Sequence, residues 1–150
     1  MVRPFNMDAR EFVKMVVKKS MDSSQTEIPE KWLRFDHCYM NLPVDAVEFL
    51  DAFIGLFDHA NPKVWSEDGS LDPIKFKLPM IHVYGFSQYN DKAKAKTYFT
   101  ERIGKAMNYP EFKEEDIMHF HDIRDVSSNS HMFGVSFRLP VEVAFLTKLK

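Results

Sequence analysis

The stretch "RFDHCYMNLPVDAVEFLDAFIGLF", residues 34 to 57, decides how the chain is read. Phe35 to Met40 reads as a strand. From Val44 onward, Val47, Phe49, Leu50, Phe53, Ile54 and Phe57 fall at helical spacing, outlining a helix apolar over much of its girth, as expected of one packed on a sheet. Between the two lies Asn41-Leu42-Pro43. Pro43 fixes its own φ and biases Leu42 towards an extended backbone, so the Asn41 carboxamide is held at the strand end without a long loop. A carboxamide carries both donor and acceptor groups, which makes this a rigid polar lip for a flat ligand. The plainer reading is a turn residue ahead of a proline.

The same alternation extends in both directions. Upstream, Val2 to Phe5 is a short apolar stub read as a strand, followed by a helix with Phe12, Val13, Val16 and Val17 at helical spacing. Residues 21 to 32, "MDSSQTEIPEKW", are polar and contain Pro29, and so read as a loop. Downstream, residues 58 to 79 hold three prolines and one glycine, too irregular for a strand or a helix, with Trp65 and Phe76 as the residues that pin this excursion down. Met80 to Phe86, "MIHVYGF", is a nearly continuous apolar run of the kind a strand buried on both faces shows. Lys92 to Met107 reads as a charged surface helix. "DIMHFHDIRDV" and "HMFGVSFRL", separated by Ser127, Ser128, Asn129 and Ser130, form an antiparallel hairpin. The fold class is therefore α/β, with a mainly parallel sheet closed by an antiparallel hairpin.

Composition sets the outer limits. The chain has 150 residues, 45% of them hydrophobic, enough for one core and one domain. With 20 basic and 22 acidic residues the formal charge is -2, so no global field marks a nucleic-acid or membrane binder. The single cysteine, Cys38, reads as a small buried residue of a strand; it excludes an internal disulfide and fits a reducing, cytoplasmic setting. No apolar run reaches the roughly 18 to 20 residues of a membrane span, and the sequence reads as that of a soluble protein with no membrane partner.

Ligands of open parallel sheets lie beyond the carboxyl ends of the strands. Here those ends carry Asn6 and Asp8, then Asn41, then Gly85 and Ser87, all expected on one edge of the sheet. For Asp8 the structural alternative is a helix N-cap.

"FNMDAREFV" (5 to 13), "DHCYMNLPVDAVEFLDAF" (36 to 53), "MIHVYGFS" (80 to 87) and "DIRDVSSNSHMFGVSFRLP" (122 to 140), in this order, resemble the carboxyl-terminal half of the catalytic domain of eukaryotic and archaeal tRNA (guanine(37)-N1)-methyltransferases. The resemblance implies the carboxyl-terminal part of a Rossmann-like class I methyltransferase fold. It also implies S-adenosylmethionine as cofactor, the anticodon region of tRNA as partner, and methyl transfer to N1 of guanosine 37. By resemblance Asp8 and Asn41 border the cofactor, while Asn41 and Pro43 line the cleft between the methyl donor and the guanine. Family members occur in the cytoplasm, the nucleus and the mitochondrial matrix.

Residues 1 to 150 are thus expected to form a partial S-adenosylmethionine-dependent methyltransferase domain. The five glycines, Gly55, Gly69, Gly85, Gly104 and Gly134, form no cofactor-cradling loop after a first strand. The base, the arginine and the tRNA-gripping domains that the family supplies upstream are also missing. Ser127-Ser128-Asn129-Ser130 stands where the family commonly has Ala-Pro-Asn-Lys, losing a charged phosphate contact. By the class I strand order, Phe35 to Met40 lies beside Met80 to Phe86, followed by the second and then the first strand of the hairpin. The first of these then has an open edge, beside which the stub at Val2 to Phe5 is expected to be displaced or to pair non-natively, and through which copies of the chain are expected to self-associate. The isolated chain is expected to be inactive. The alternatives are a non-catalytic Rossmann-like interaction module and a relative of the wybutosine-pathway aminocarboxypropyl transferase. His119 and His121 alternate on one strand face without a third ligand in register, which favours a structural role over a metal site. Lys92, Lys94, Lys96, Arg102 and Lys105 read as a solvated helix face.

Overall fold

In a computed structural model of the chain, residues 4–21, 34–42, 44–127 and 130–147 are described. Pro43, most of the loop at 21 to 32, the start of the stub at Val2 and the two central residues of the hairpin turn lie outside these. Pro4 and Phe5 belong to no strand.

Among the described residues four strands form one sheet. They are β1 (His37–Met40), β2 (Met80–Ser87), β3 (Ile117–Ser127) and β4 (Ser130–Arg138), arranged β1-β2-β4-β3. This is the strand order anticipated above. The parallel character is not: β1 runs parallel to β2, but β2 and β3 are both antiparallel to β4. The hairpin contributes two of the four strands, and only the pair joined through a long crossover is parallel. The sheet is mixed rather than mainly parallel.

The helices are α1 (Ala9–Met21), α2 (Pro62–Trp65), α3 (Lys92–Ala106) and α4 (Val141–Ala144), the second and fourth a single turn each. None is long and apolar enough to cross a membrane among the described residues. Asp8 opens α1, accepting hydrogen bonds at Oδ1 from the backbone N–H of Arg10 (2.9 Å) and of Glu11 (3.3 Å). Asp91 opens α3 the same way, through Lys94 N–H at 2.8 Å. These are the caps that satisfy a helix's first free amides.

The apolar segment after Asn41 is not the α-helix its spacing predicts. It is a turn followed by a 3-10 helix at Glu48–Phe53, which ends at Ile54 in an extended conformation. Gly55 then takes φ 64°, its N–H donating to Val143 O at 2.8 Å, and Phe57 N–H donates to Ala144 O at 3.0 Å. Backbone bonds to α4 thus replace those that a longer helix would make to itself. Glycine tolerates the left-handed conformation that this requires.

The core lies on the face of the sheet that carries Ile81, Val83, Phe133, Val135 and Phe137, packed with Phe53, Phe57, Phe99 and Ile103. Trp65 and Phe76 do anchor the irregular excursion. Trp65 meets Phe35 and Phe57 edge-on at 5.3 and 4.7 Å, and Phe76 meets Phe145 at 4.9 Å. β2 is not buried on both faces: Ile81, Val83, Gly85 and Ser87 are buried, whereas His82, Tyr84 and Phe86 are half-buried. The second face of the sheet carries His37, Tyr39, His82 and Ser136 towards the β1 side, with Tyr84 and Ile123 meeting over Gly134, and it stays partly open.

Candidate functional site

A cleft of about 610 Å³ lies between α1 and the edge of β1 that no strand among the described residues covers. Its walls are apolar, with Phe12, Val13 and Val16 from α1 facing Cys38 and Met40 of β1. Asn41 and Leu42 lie where β1 ends, and Ala9 and Arg10 come from the first turn of α1. The carboxyl end of the strand and the head of the helix therefore open on one cleft. Asn41 is exposed, and its side chain makes no hydrogen bond among the described residues. A free donor and a free acceptor are thus held beside an apolar wall, an arrangement suited to a planar heterocycle.

Asp8 lies one residue before the cleft-lining Ala9, but its Oδ1 is engaged as the α1 cap. Among the described residues no hydrogen bond joins Asp8 to Asn41. Pro43 lies outside the described residues. Ser87, at the end of β2, is buried, its Oγ accepting from Tyr89 N–H at 3.0 Å, which makes it a turn residue. Cys38 is half-buried in the cleft wall, and burial pushes its thiol up to about 11, away from reactivity.

Two arginines that composition alone marks as ordinary surface charge fix this site. Arg10 donates from Nε to Asp51 Oδ1 at 2.7 Å and lies 4.0 Å over the Phe49 ring, locking α1 to the 3-10 helix. Arg102, read above as part of a solvated basic face, instead reaches from α3 to Glu48 and to Val44 O. The segment that follows Asn41 is thereby clamped from both sides. A long-range fork of this kind leaves no local sequence signal, because Arg102 and Glu48 are 54 residues apart.

A polar row crosses the open face of the sheet. Register places Tyr39 beside His82, His82 beside Ser136, and Ser136 beside His119. His82 stacks on Tyr39 at 4.3 Å and 8°. Its Nε2 is 2.9 Å from His37 Nδ1 and its Nδ1 is 2.8 Å from Ser136 Oγ. Burial, and then the neighbouring His37 and His119, hold the His82 pKa below its ordinary value. Sequence reading passed over this network, since only strand register brings His37 to His82. His119 and His121 stack with each other at 6.0 Å. Among the described residues no group of three or more His, Cys, Asp or Glu side chains is arranged to hold a metal ion.

No family model matches the chain. Curated proteins do. The tRNA (guanine(37)-N(1))-methyltransferase of Candida albicans (strain SC5314) is 34% identical over 96% of this chain and 38% of its own length. The enzyme of the same name from Paramecium tetraurelia is 36% identical over 92% of this chain and 27% of its own length. The crystal structure of wild-type Trm5b from Pyrococcus abyssi is similar with a TM-score of 0.42 and 25% identity, covering 78% of this chain and 27% of that one. The chain spans well under half the length of the curated relatives it matches. Over nearly all of its own length, the chain is similar to part of curated tRNA (guanine(37)-N(1))-methyltransferases.

Proposed function

We propose that the chain supplies one portion of the catalytic domain of a tRNA (guanine(37)-N1)-methyltransferase, in a Rossmann-like class I fold. The observation that carries this reading is the similarity of 96% of the chain to curated enzymes of that name. The cleft supports it. Its apolar wall suits a flat base, and Asn41 offers a free amide donor at the strand end. Methylation at guanine N1 removes a proton and pushes negative charge onto O6, which a positioned N–H stabilises. Asn41 takes that role, or holds the base in line for attack, with Pro43 stiffening the lip. The anticodon region of tRNA is the macromolecular partner, and the setting is reducing and cytoplasmic.

S-adenosylmethionine, when bound, supplies the methyl group. The residues present would meet one side of it: Asn41 borders the cleft, and Asp8, one residue before the cleft-lining Ala9, keeps its second carboxylate oxygen for the adenosine part. The five glycines offer no phosphate-style or adenosine-cradling turn, so these residues form a partial site. The 150 residues by themselves are expected neither to bind the cofactor tightly nor to methylate tRNA. The test is a replacement: the matched segment of the Candida albicans enzyme is exchanged for this chain, and tRNA nucleosides are analysed by mass spectrometry. Restored N1-methylguanosine supports the reading; a folded hybrid that leaves tRNA unmethylated rejects it.

A further inference from the structure

We propose that Arg102, acting through Glu48, is a positioning residue for methyl transfer: it sets where the Asn41 carboxamide stands relative to the cofactor side of the cleft. The inference rests on the functional reading above and adds to it a residue that does not line the cleft. Its starting point is Asn41. With no hydrogen bond to its carboxamide among the described residues, that side chain takes its place from the backbone on either side. Before it, Met40 is paired with Val83 of β2. After it, Leu42 O accepts from Asp45 N–H at 2.9 Å and from Ala46 N–H at 2.7 Å, closing a turn. Val44 and Asp45 in that turn are exposed, and burial begins at Ala46 and Val47.

Arg102 restrains the exposed part of the turn. Its Nη2 donates to Val44 O at 2.6 Å, while Nε and Nη2 hold the Glu48 carboxylate at 2.8 and 2.7 Å. A guanidinium is planar and rigid, so one side chain on α3 fixes the start of the turn and the start of the 3-10 helix together. The same short helix is tied on its other side to α1. Asp51 accepts from Arg10 Nε at 2.7 Å, and Arg10 lies 4.0 Å over Phe49. Arg10 directly follows the cleft-lining Ala9 and the α1 cap Asp8. Glu48–Phe53 therefore links the base side of the cleft, through Arg102, to the cofactor side, through Arg10. Transfer of a methyl group demands alignment of donor and acceptor, and a displacement of about 1 Å costs about 100-fold in rate. A brace that fixes this spacing acts on the transfer step rather than on the affinity for either ligand.

The test compares Arg102→Ala, Arg102→Lys and Glu48→Gln with the parent in two formats. In the 150-residue chain, amide exchange is followed at Asp45 and Ala46, with Ile81 and Val83 of β2 as references. Arg102→Ala is expected to speed exchange at Asp45 and Ala46 at least about ten-fold more than at the references. In the hybrid enzyme, single-turnover transfer at saturating tRNA and S-adenosylmethionine is expected to slow by about 10-fold to 100-fold, while the half-saturating concentrations stay those of the parent. Arg102→Lys, which keeps the charge and loses the fork, falls between Arg102→Ala and the parent. Lys77→Ala, which removes an ion pair to Glu67 at 3.9 Å in the excursion, matches the parent. Loss of folded protein alone would lower the amplitude of the turnover and leave its rate constant unchanged. An effect on amplitude alone therefore overturns the inference, as does unaltered exchange at Asp45 and Ala46. A parent hybrid that leaves tRNA unmethylated rejects the methyltransferase reading and this inference with it; an active parent whose Arg102 variants keep its rate constant rejects this inference alone.

Discussion

Arg102 grips Glu48 across 54 residues of sequence, with Nε 2.8 Å from Oε1 and Nη2 2.7 Å from Oε2. The same Nη2 donates to Val44 O at 2.6 Å. One guanidinium on α3 thus fixes the turn that leads away from Asn41. The pair is partly exposed, the Arg102 side chain at 21% and Glu48 at 49%, so its worth is that of a screened fork plus one backbone bond. Arg102→Ala is expected to lower unfolding stability by about 1 kcal/mol. Arg102→Lys, unable to form the fork, should recover only part of this. Urea unfolding measures both; midpoints equal to the parent protein's would show that the fork carries no weight.

His82 makes stability depend on pH. Its folded pKa lies below the unfolded value of about 6.5, because burial, His37 and His119 all disfavour the charged ring. The unfolded chain then binds the proton more tightly. The contribution is fully present above about pH 6.5 and is lost as the pH falls through the folded value. His37, His119, Ser136 and Tyr39 are the groups that face the ring, so His82→Gln should flatten the pH dependence between pH 7.5 and 5.5 relative to the parent. Thermal melts at the two pH values decide it: equal slopes for both proteins would count against the network.

Gly104 breaks the usual rule for a helix interior. Alanine ordinarily stabilises such a position by about 1 kcal/mol. Here an added Cβ would lie 3.0 Å from Tyr109 O and 3.4 Å from Phe112 Cβ, because Tyr109 N–H donates to Gly104 O at 2.8 Å and folds the chain back on the helix end. The obstacle is backbone and has little room to yield. Gly104→Ala is expected to destabilise by about 1 kcal/mol or more, the cost of overpacking. A raised melting temperature would contradict the close approach.

Which parts of this architecture are legible in the sequence follows from how local their causes are. α3, the hairpin and the continuous run of β2 carry their signals in neighbouring residues, and each appears within a residue or two of its expected bounds. The strand order came through the family resemblance rather than through periodicity. The segment from Val44 to Phe57 misled because its apolar spacing is helical while its ends are set elsewhere, by Arg102 at one end and by α4 bonding to Gly55 and Phe57 at the other. Asn41 was identifiable as a residue at a strand end. The clamping of the segment after it by Arg102, and the pairing of His37 with His82, were not, since both arise only from tertiary contacts.

Asn41 should matter for chemistry and not for folding. It is exposed, and its carboxamide is free of hydrogen bonds among the described residues, so Asn41→Ala should leave the unfolding midpoint unchanged. In the hybrid enzyme the same change should slow single-turnover methyl transfer by roughly 10-fold to 1000-fold, the scale of losing one positioned donor. An unaltered rate would return Asn41 to the role of a turn residue.

The measurement that bears most directly on the central claim is single-turnover methyl transfer by the hybrid enzyme on two tRNA transcripts that differ only at position 37, one with guanosine and one with adenosine. The account predicts methyl incorporation at N1 of the guanosine and none on the adenosine transcript. Equal incorporation on both, or incorporation away from position 37, would contradict it.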